Sequence, residues 1–577
     1  MEMKRKALHI VSFIGIVILA YFLSEKFFFR WDLTSEKRYS LSDNTKHLLK
    51  NLNEEMNVTI YLDGDLNSGF LRLRKATKEL LDEFDAYSSK KIQYEFVNPS
   101  AGATKEERQK KYEELEKKGM RGIVVYDGNK EGESRQKIVY PWAEITYNNK
   151  TKTVNLLKNI PNNSGEENLN ISIESLEYEI TDVLRIITST HTPKVAFLEG
   201  HNEYPEPLVY DFTQTLSHYY QVDRGTLSGN TNELNDYEAV IIAAPINKFS
   251  EKDKFILDQY IMQGGRILWL LDGTRISLDS LSTASQTIGI ENDLNLTDQL
   301  FKYGFRINAD LVQDVQCSMI PVNVSREGDN PKYELMSWYY SPLLLTIPTH
   351  PISKNIAPVK SEFVSSINFV NNDNEKIRKT PLLITSTGTH IQNIPSIVSM
   401  DVINIERNGY YFNTQNAIVA AILEGVFPSV FTNRMIPTGI TTTSPIITES
   451  KPTKMIVIAD GDVIRNDIQG TGANANILPL GYDRYINQKF GNSEFLLNAV
   501  NYLTDDDGWL NLRSREIQLR LLNKPAIIGQ RRFWQVTNLL LPLIIILLYG
   551  GVFYFIRKKK YTTNISVNKQ HESIAND

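Results

Sequence analysis

Arg266-Ile267-Leu268-Trp269-Leu270-Leu271-Asp272-Gly273 is the stretch from which the fold can be read. An unbroken apolar run between an arginine and an Asp-Gly turn is the pattern of a strand covered on both faces, as in a parallel sheet. Working back, Gly264-Gly265 closes a helix and opens the turn into that strand. Glu251 to Met262 has the apolar spacing of a helix, and Glu238 to Ala243 (EAVIIA) is a second buried strand. Val195 to Leu198 is a third, followed by Glu199-Gly200-His201. Working forward, Lys454 to Ala459 (KMIVIA) ends in Asp460-Gly461-Asp462, and Asn492 to Leu503 is a helix after it. Strands followed in turn by helices predict an α/β, flavodoxin- or amidotransferase-like parallel sheet built from 193–304 and 451–508. The stretch 305–450 is rich in strands and in Thr/Ser turns, and reads as an inserted subdomain.

A smaller α/β domain precedes this one, over 31–192. Ser42 caps a helix from Asp43 to Asn51. Asn57 to Leu62 alternates as a strand, Leu71 to Tyr87 has apolar residues at helical spacing, and Ile92 to Val97 is a second strand. Strand, helix, strand is a βαβ unit, followed by a charged helix at Lys105 to Lys118 and a strand at Gly122 to Tyr126. The layout is thioredoxin-like without a CxxC pair, hence redox-silent. Asn159 to Asn170 reads as a polar loop. Ser172 to Thr190 then carries Ile173, Leu176, Ile180, Leu184 and Ile187 on one helical face, suited to packing between the two domains.

Both ends are apolar. Ala7 to Leu23 is almost unbroken and follows Lys4, Arg5 and Lys6. Its bulky end, Tyr21-Phe22-Leu23, lacks a small-residue cleavage site, so 1–30 reads as an uncleaved signal anchor. Leu539 to Ile556 is free of charge, and Arg557-Lys558-Lys559-Lys560 follow directly, so 536–577 reads as a membrane helix and tail. Basic residues outside both spans put both termini in the cytoplasm and the body on the far side of a bacterial inner membrane. The juxtamembrane stalk, 509–535, interleaves Arg513, Arg515, Arg520, Arg531 and Arg532 with leucines, and suits lipid headgroups or a partner subunit.

The chain has 577 residues, with 63 basic against 68 acidic side chains and a formal charge of −5. That balance argues against a nucleic-acid partner. A mean hydropathy of −0.29 is too polar for a many-span transporter. Cys317 is the single cysteine, so no intrachain disulfide or cysteine zinc site can form. No GxGxxG, Walker A or HExxH pattern occurs, and the strand-end turn Asp272-Gly273-Thr274 has no Ser or Cys nucleophile at its tip. Catalytic residues, metal ions and cofactors are therefore not expected. Ligands of open α/β sheets bind beyond the carboxyl ends of the strands. There the sequence places His201 and Glu203, Asp272, and Asp460 with Asp462. Side by side they would line an acidic crevice able to take a small molecule or a glycan; taken singly, Asp-Gly after a strand is ordinary turn chemistry.

Trp31-Asp32-Leu33-Thr34-Ser35-Glu36-Lys37-Arg38-Tyr39-Ser40-Leu41-Ser42, just after the first apolar run, resembles the opening of ABC transporter auxiliary proteins. With Lys194 to Asn202 (KVAFLEGHN), Gly264 to Asp272 (GGRILWLLD), Val457 to Asp462 and Asn492 to Leu503, the whole chain resembles the gliding-motility-associated ABC transporter accessory proteins of Bacteroidetes, the GldG family. The resemblance implies a non-catalytic, membrane-anchored periplasmic subunit. It would work beside a separate ATPase, which alone binds ATP, and a multispan permease.

Overall fold

The computed structural model describes residues 40–514 and 529–574, apart from 103, 129–133, 162, 190–191, 326–328, 371–375, 442–444, 471 and 473–474. The expected anchor at Ala7 to Leu23 lies outside the described residues. The chain divides into two units, Met1–Glu516 and Ile517–Asp577.

The first unit opens with helix α1 (Asp43–Lys50), where Ser42 Oγ accepts the Thr45 N–H at 3.0 Å. Strand β1 (Met56–Ile60), helix α2 (Ser68–Tyr87) and strand β2 (Ile92–Phe96) form the expected βαβ unit, with β1 and β2 parallel. Helix α3 (Lys105–Lys117) and the hairpin β3–β4 (Ile123–Gly128, Ser134–Val139) follow. A second hairpin, β5 (Trp142–Tyr147) and β6 (Lys150–Asn155), pairs antiparallel onto β1, giving the order β2-β1-β5-β6.

Helix α4 spans Gly165–Thr188 and begins inside the stretch that reads as a polar loop. A capping box explains the early start: Ser164 accepts the Glu167 N–H, and Glu167 accepts the Ser164 N–H. Leu176, Ile180, Leu184 and Ile187 pack into the core of the small domain, while Tyr178 packs into the core of the next. The helix thus bridges two cores, as its apolar face predicts.

The large sheet starts with β7 (Lys194–Glu199), α5 (Glu206–Ser217) and β8 (Gln221–Thr226). It continues with β9 (Ala239–Ala243), α6 (Glu251–Met262) and β10 (Ile267–Leu270). Gly264 sits at φ +103°, a left-handed position that suits glycine and lets the chain reverse between α6 and β10. Alternate residues of β9 face opposite cores: Ala239, Ile241 and Ala243 one, Val240 and Ile242 the other. This two-sided burial is why the strand is wholly apolar.

The stretch 305–450 is continuous with the large sheet. Four of its strands, β11 (Cys317–Asn323), β12 (Tyr333–Thr346), β13 (Ile377–Ile384) and β14 (Ile418–Gly425), continue the sheet antiparallel. They meet the parallel part at β15 (Thr453–Ile458), giving the order β11-β12-β13-β14-β15-β10-β9-β7-β8. From Met455 to Ile458 β15 is apolar on both faces, and it pairs β14 on one side and β10 on the other, so an insertion that pairs here removes a buried sheet edge. Cys317 lies half-buried at the start of β11. Helix α7 (Asn492–Thr504) covers one face of the parallel strands with Phe495, Leu496, Val500 and Leu503. A short 3-10 turn, Trp509–Ser514, ends the unit.

The second unit is dominated by one helix, α8 (Arg531–Ile574). Its Arg531–Lys559 stretch is, among the described residues, the one helix long and apolar enough to cross a bilayer. Pro542 is held within it, which a membrane helix tolerates.

Candidate functional site

The five parallel strands run in the order β8-β7-β9-β10-β15, the 2-1-3-4-5 succession of flavodoxin-like sheets. Ligands in such sheets sit where the order reverses, here between the carboxyl ends of β7 and β9. That switch point is filled by the chain itself. The loop after β7 folds across it, and His201 O accepts the N–H groups of Ile246 and Asn247, both at 2.9 Å. Tyr204 N–H donates to Ala243 O at 3.0 Å, and Ala244 turns away at φ +53°.

His201 is the centre of this plug. Its ring lies on Phe249, with centroids 3.7 Å apart and planes 14° from parallel. Nδ1 is 3.1 Å from Glu203 Oε1 and Nε2 is 3.3 Å from Asp253 Oδ2. Burial would lower the imidazole pKa, but hydrogen bonds to the Asp253 and Glu203 carboxylates outweigh it and raise it to about 9. The ring is therefore an imidazolium at neutral pH, clamped on both nitrogens. Glu203 also accepts the His201 backbone N–H at 2.7 Å.

Asp272, Asp460 and Asp462 do come together, one strand along. β10 and β15 pair with Leu270 opposite Ile458, so their terminal turns lie side by side. Asp272 Oδ1 accepts the Gly461 N–H at 2.6 Å. Asp460 is fully buried; its Oδ1 accepts the Asp462 N–H at 2.6 Å and its Oδ2 the Glu362 N–H at 3.0 Å. Asp462 bonds to Tyr204 and, at 2.7 Å, to Arg465 Nη1. Arg465 Nη2 reaches Glu362 Oε2, also at 2.7 Å. Tyr204 joins this cluster to the His201 plug.

One guanidinium thus pairs with two of four clustered carboxyl groups, and the carboxyls respond. Burial and the nearby charge of Asp462 raise Asp272 to about 7. Asp460 stands well above the usual carboxylate range through burial and the charges of Asp462 and Asp272. Glu362 is raised too, by burial and Asp462.

The crevice is small. A cavity of about 50 Å³ adjoins Asp272 and Arg306, and one of about 40 Å³ adjoins Asp462, Glu362 and Arg465. Each holds a few water molecules at most, against the roughly 300 Å³ of a small-molecule pocket. Among the described residues, no group of three or more His, Cys, Asp or Glu side chains is arranged to hold a metal ion.

Sequence spacing hints at Arg465, three residues after Asp462. Nothing in the sequence hints at Glu362, Asp253 or Phe249, which arrive from other loops. Of the basic stalk residues, Arg513 is not available to lipid or a partner. Its guanidinium donates to Asn498 Oδ1 at 3.2 Å, to Lys354 O at 3.0 Å and to Glu494 Oε1 at 3.4 Å. A helical turn pinned by buried Trp509 and Leu510 points Arg513 inward. Arg515 and Arg520 lie outside the described residues, while Arg531 and Arg532 are exposed at the start of α8.

Four comparisons relate the chain to known proteins. Residues 35–146 match a domain family of unknown function. An uncharacterized protein of Borreliella burgdorferi is 20% identical over 552 residues, covering 92% of this chain and 94% of that protein. Among solved structures, the mmIFT52 N-terminal domain aligns with a TM-score of 0.31 and 14% identity, over 54% of this chain and 98% of its own. The family described as an ABC-type uncharacterized transport system matches residues 192–499, which hold the whole large sheet and its strand-end cluster. The chain belongs to that family of ABC transport system auxiliary proteins.

Proposed function

We propose that this protein is a non-catalytic, membrane-anchored subunit of an ABC transporter complex associated with gliding motility or cell-surface export. Separate ATPase and permease subunits would bind ATP and move substrate. The body would lie in the periplasm, held by a helix at each end, with both termini in the cytoplasm. The observation that carries this reading is the joining, in one chain, of the transport-system domain to the apolar helix Arg531–Lys559, whose last residues Arg557, Lys558 and Lys559 run on into Lys560.

The strand-end chemistry agrees with a subunit that does no catalysis. A nucleophile needs an adjacent base with a free lone pair. His201 has a carboxylate at each ring nitrogen, and Asp460 accepts two backbone N–H groups. The alternative of a small-molecule or glycan-binding module rests on the convergence of Asp272, Asp460 and Asp462, and cavities of about 40 to 50 Å³ give it little room.

Affinity purification from mild detergent tests the proposal. An ATPase and a multispan permease should co-purify with the chain in fixed ratio; recovery of the chain alone from crosslinked membranes would reject it.

A further inference from the structure

The two ends of the folded body meet on the middle of α4. From the N-terminal side, Ser42 N–H donates to Glu177 Oε1 at 2.7 Å and Thr45 Oγ1 to the same oxygen at 3.0 Å. From the C-terminal side, Trp509 stacks on Tyr178, with centroids 4.8 Å apart and planes 17° from parallel. The guanidinium of Arg185 lies 5.0 Å from the Trp509 ring, and that of Arg513 lies 5.0 Å from the Tyr178 ring. The ends also touch each other, since Asn44 Nδ2 donates to Asp507 O at 3.2 Å. Glu177 and Tyr178 are neighbours, so one turn of α4 receives both.

The junction is polar and loosely filled. Lys158 Nζ bonds to Glu179 at 2.8 Å and to Glu494 at 2.9 Å, and Glu494 also takes Arg513. A cavity of about 370 Å³ runs beside Lys158, Tyr178, Glu179, Glu494 and Arg513. Close-packed cores transmit strain but do not shift; aromatic and ion-paired contacts next to a void can exchange one arrangement for another.

We propose that the Glu177–Arg185 segment of α4 is a relay, through which displacement of Trp509–Ser514 alters the seating of α1, and the reverse. The relay rests on the reading of a body tethered to the membrane at its ends. In that setting α1 follows one tether and Trp509–Ser514 precede the other. A permease that moved either tether would have its motion carried to the small domain and the large sheet together.

Hydrogen–deuterium exchange on the full chain in detergent tests this. Arg513 meets α4 through the Tyr178 ring, whereas α1 meets it through Glu177. Arg513→Ala should speed exchange of the Asp43–Lys50 amides about fivefold or more, and Glu177→Gln should do the same for Trp509–Ser514, because coupling between sites is reciprocal. The amides of α6 should keep their protection. Arg513→Lys, which keeps the charge and loses the fork, provides the same reading should the alanine variant not fold. Changes confined to each variant's own side of α4, or an equal rise in α6, would overturn the relay. Neither result depends on recovering a permease, so the relay and the transport reading fail separately.

Discussion

The hydroxyl of Tyr204 donates to Asp462 Oδ1 across 2.5 Å, tying the loop after β7 to the loop after β15. These loops are separated by 258 residues of sequence, and the bond joins the imidazolium plug to the carboxyl cluster. Burial and the Asp462 charge drive the Tyr204 hydroxyl pKa far above its usual value, so it remains a donor at any physiological pH. Tyr204→Phe removes one donor from the Asp462 carboxyl, which also pairs with Arg465. A loss of about 1–3 kcal/mol is expected, seen as a lower denaturant midpoint with unchanged helix content.

Asp272 gives a pH test with an unusual sign. Its folded pKa near 7 lies above the ordinary carboxylate value of 3.8. Between those values the folded chain keeps a proton that the unfolded chain has lost, so this residue's contribution falls as pH rises and levels off above about 7. Asparagine retains the oxygen that accepts the Gly461 N–H. Asp272→Asn should therefore unfold at a higher temperature than the parent at pH 8 and at a similar one at pH 4. A variant that is less stable at pH 8 would show that the charged carboxylate is favoured where it stands.

His201 has the same sign over a higher window. Its folded pKa of about 9 lies above the unfolded 6.5, so its stabilising contribution is complete below 6.5 and is lost as pH rises through 9. Scans from pH 6 to pH 10 should show the parent losing stability across that window and His201→Gln lacking that component. The ring's titration in an NMR spectrum provides the direct check.

Gly461 has no room for a methyl group. A Cβ there would lie 2.4 Å from Ala244 Cβ and 2.9 Å from Asp272 Oδ2. Gly461→Ala should cost roughly 1–3 kcal/mol through overpacking. Because the clash lies between β9 and β15, amides at the ends of both strands should exchange faster than those of the small domain.

Where apolar runs were long, the sequence disclosed the fold. EAVIIA, RILWLL and KMIVIA are strands because burial on both faces leaves no polar alternative, and α6 has the bounds its spacing predicts. The β7–α5–β8 crossover was not legible. β8 (QVDRGT) is an edge strand with half-exposed polar residues, and α5 is capped by Pro205 without a side-chain hydrogen bond. The site was half legible. Strand-end turns identified Asp272, Asp460 and Asp462, since adjacent strands bring their ends together. His201 and Glu203 read as part of the same crevice, yet the Phe249 ring and Asp253 draw them into a plug of their own. Those partners lie about 50 residues downstream, beyond the reach of local pattern.

Cys317 has a practical bearing. Burial, at the start of β11, pushes its thiol up to about 11, so almost none is thiolate near pH 7. Maleimide chemistry at neutral pH should pass it by. Fluorophores or spin labels can then be placed on cysteines introduced in α1 and near Ser514, in the otherwise native chain, to follow the distance between its two ends as a transporter turns over.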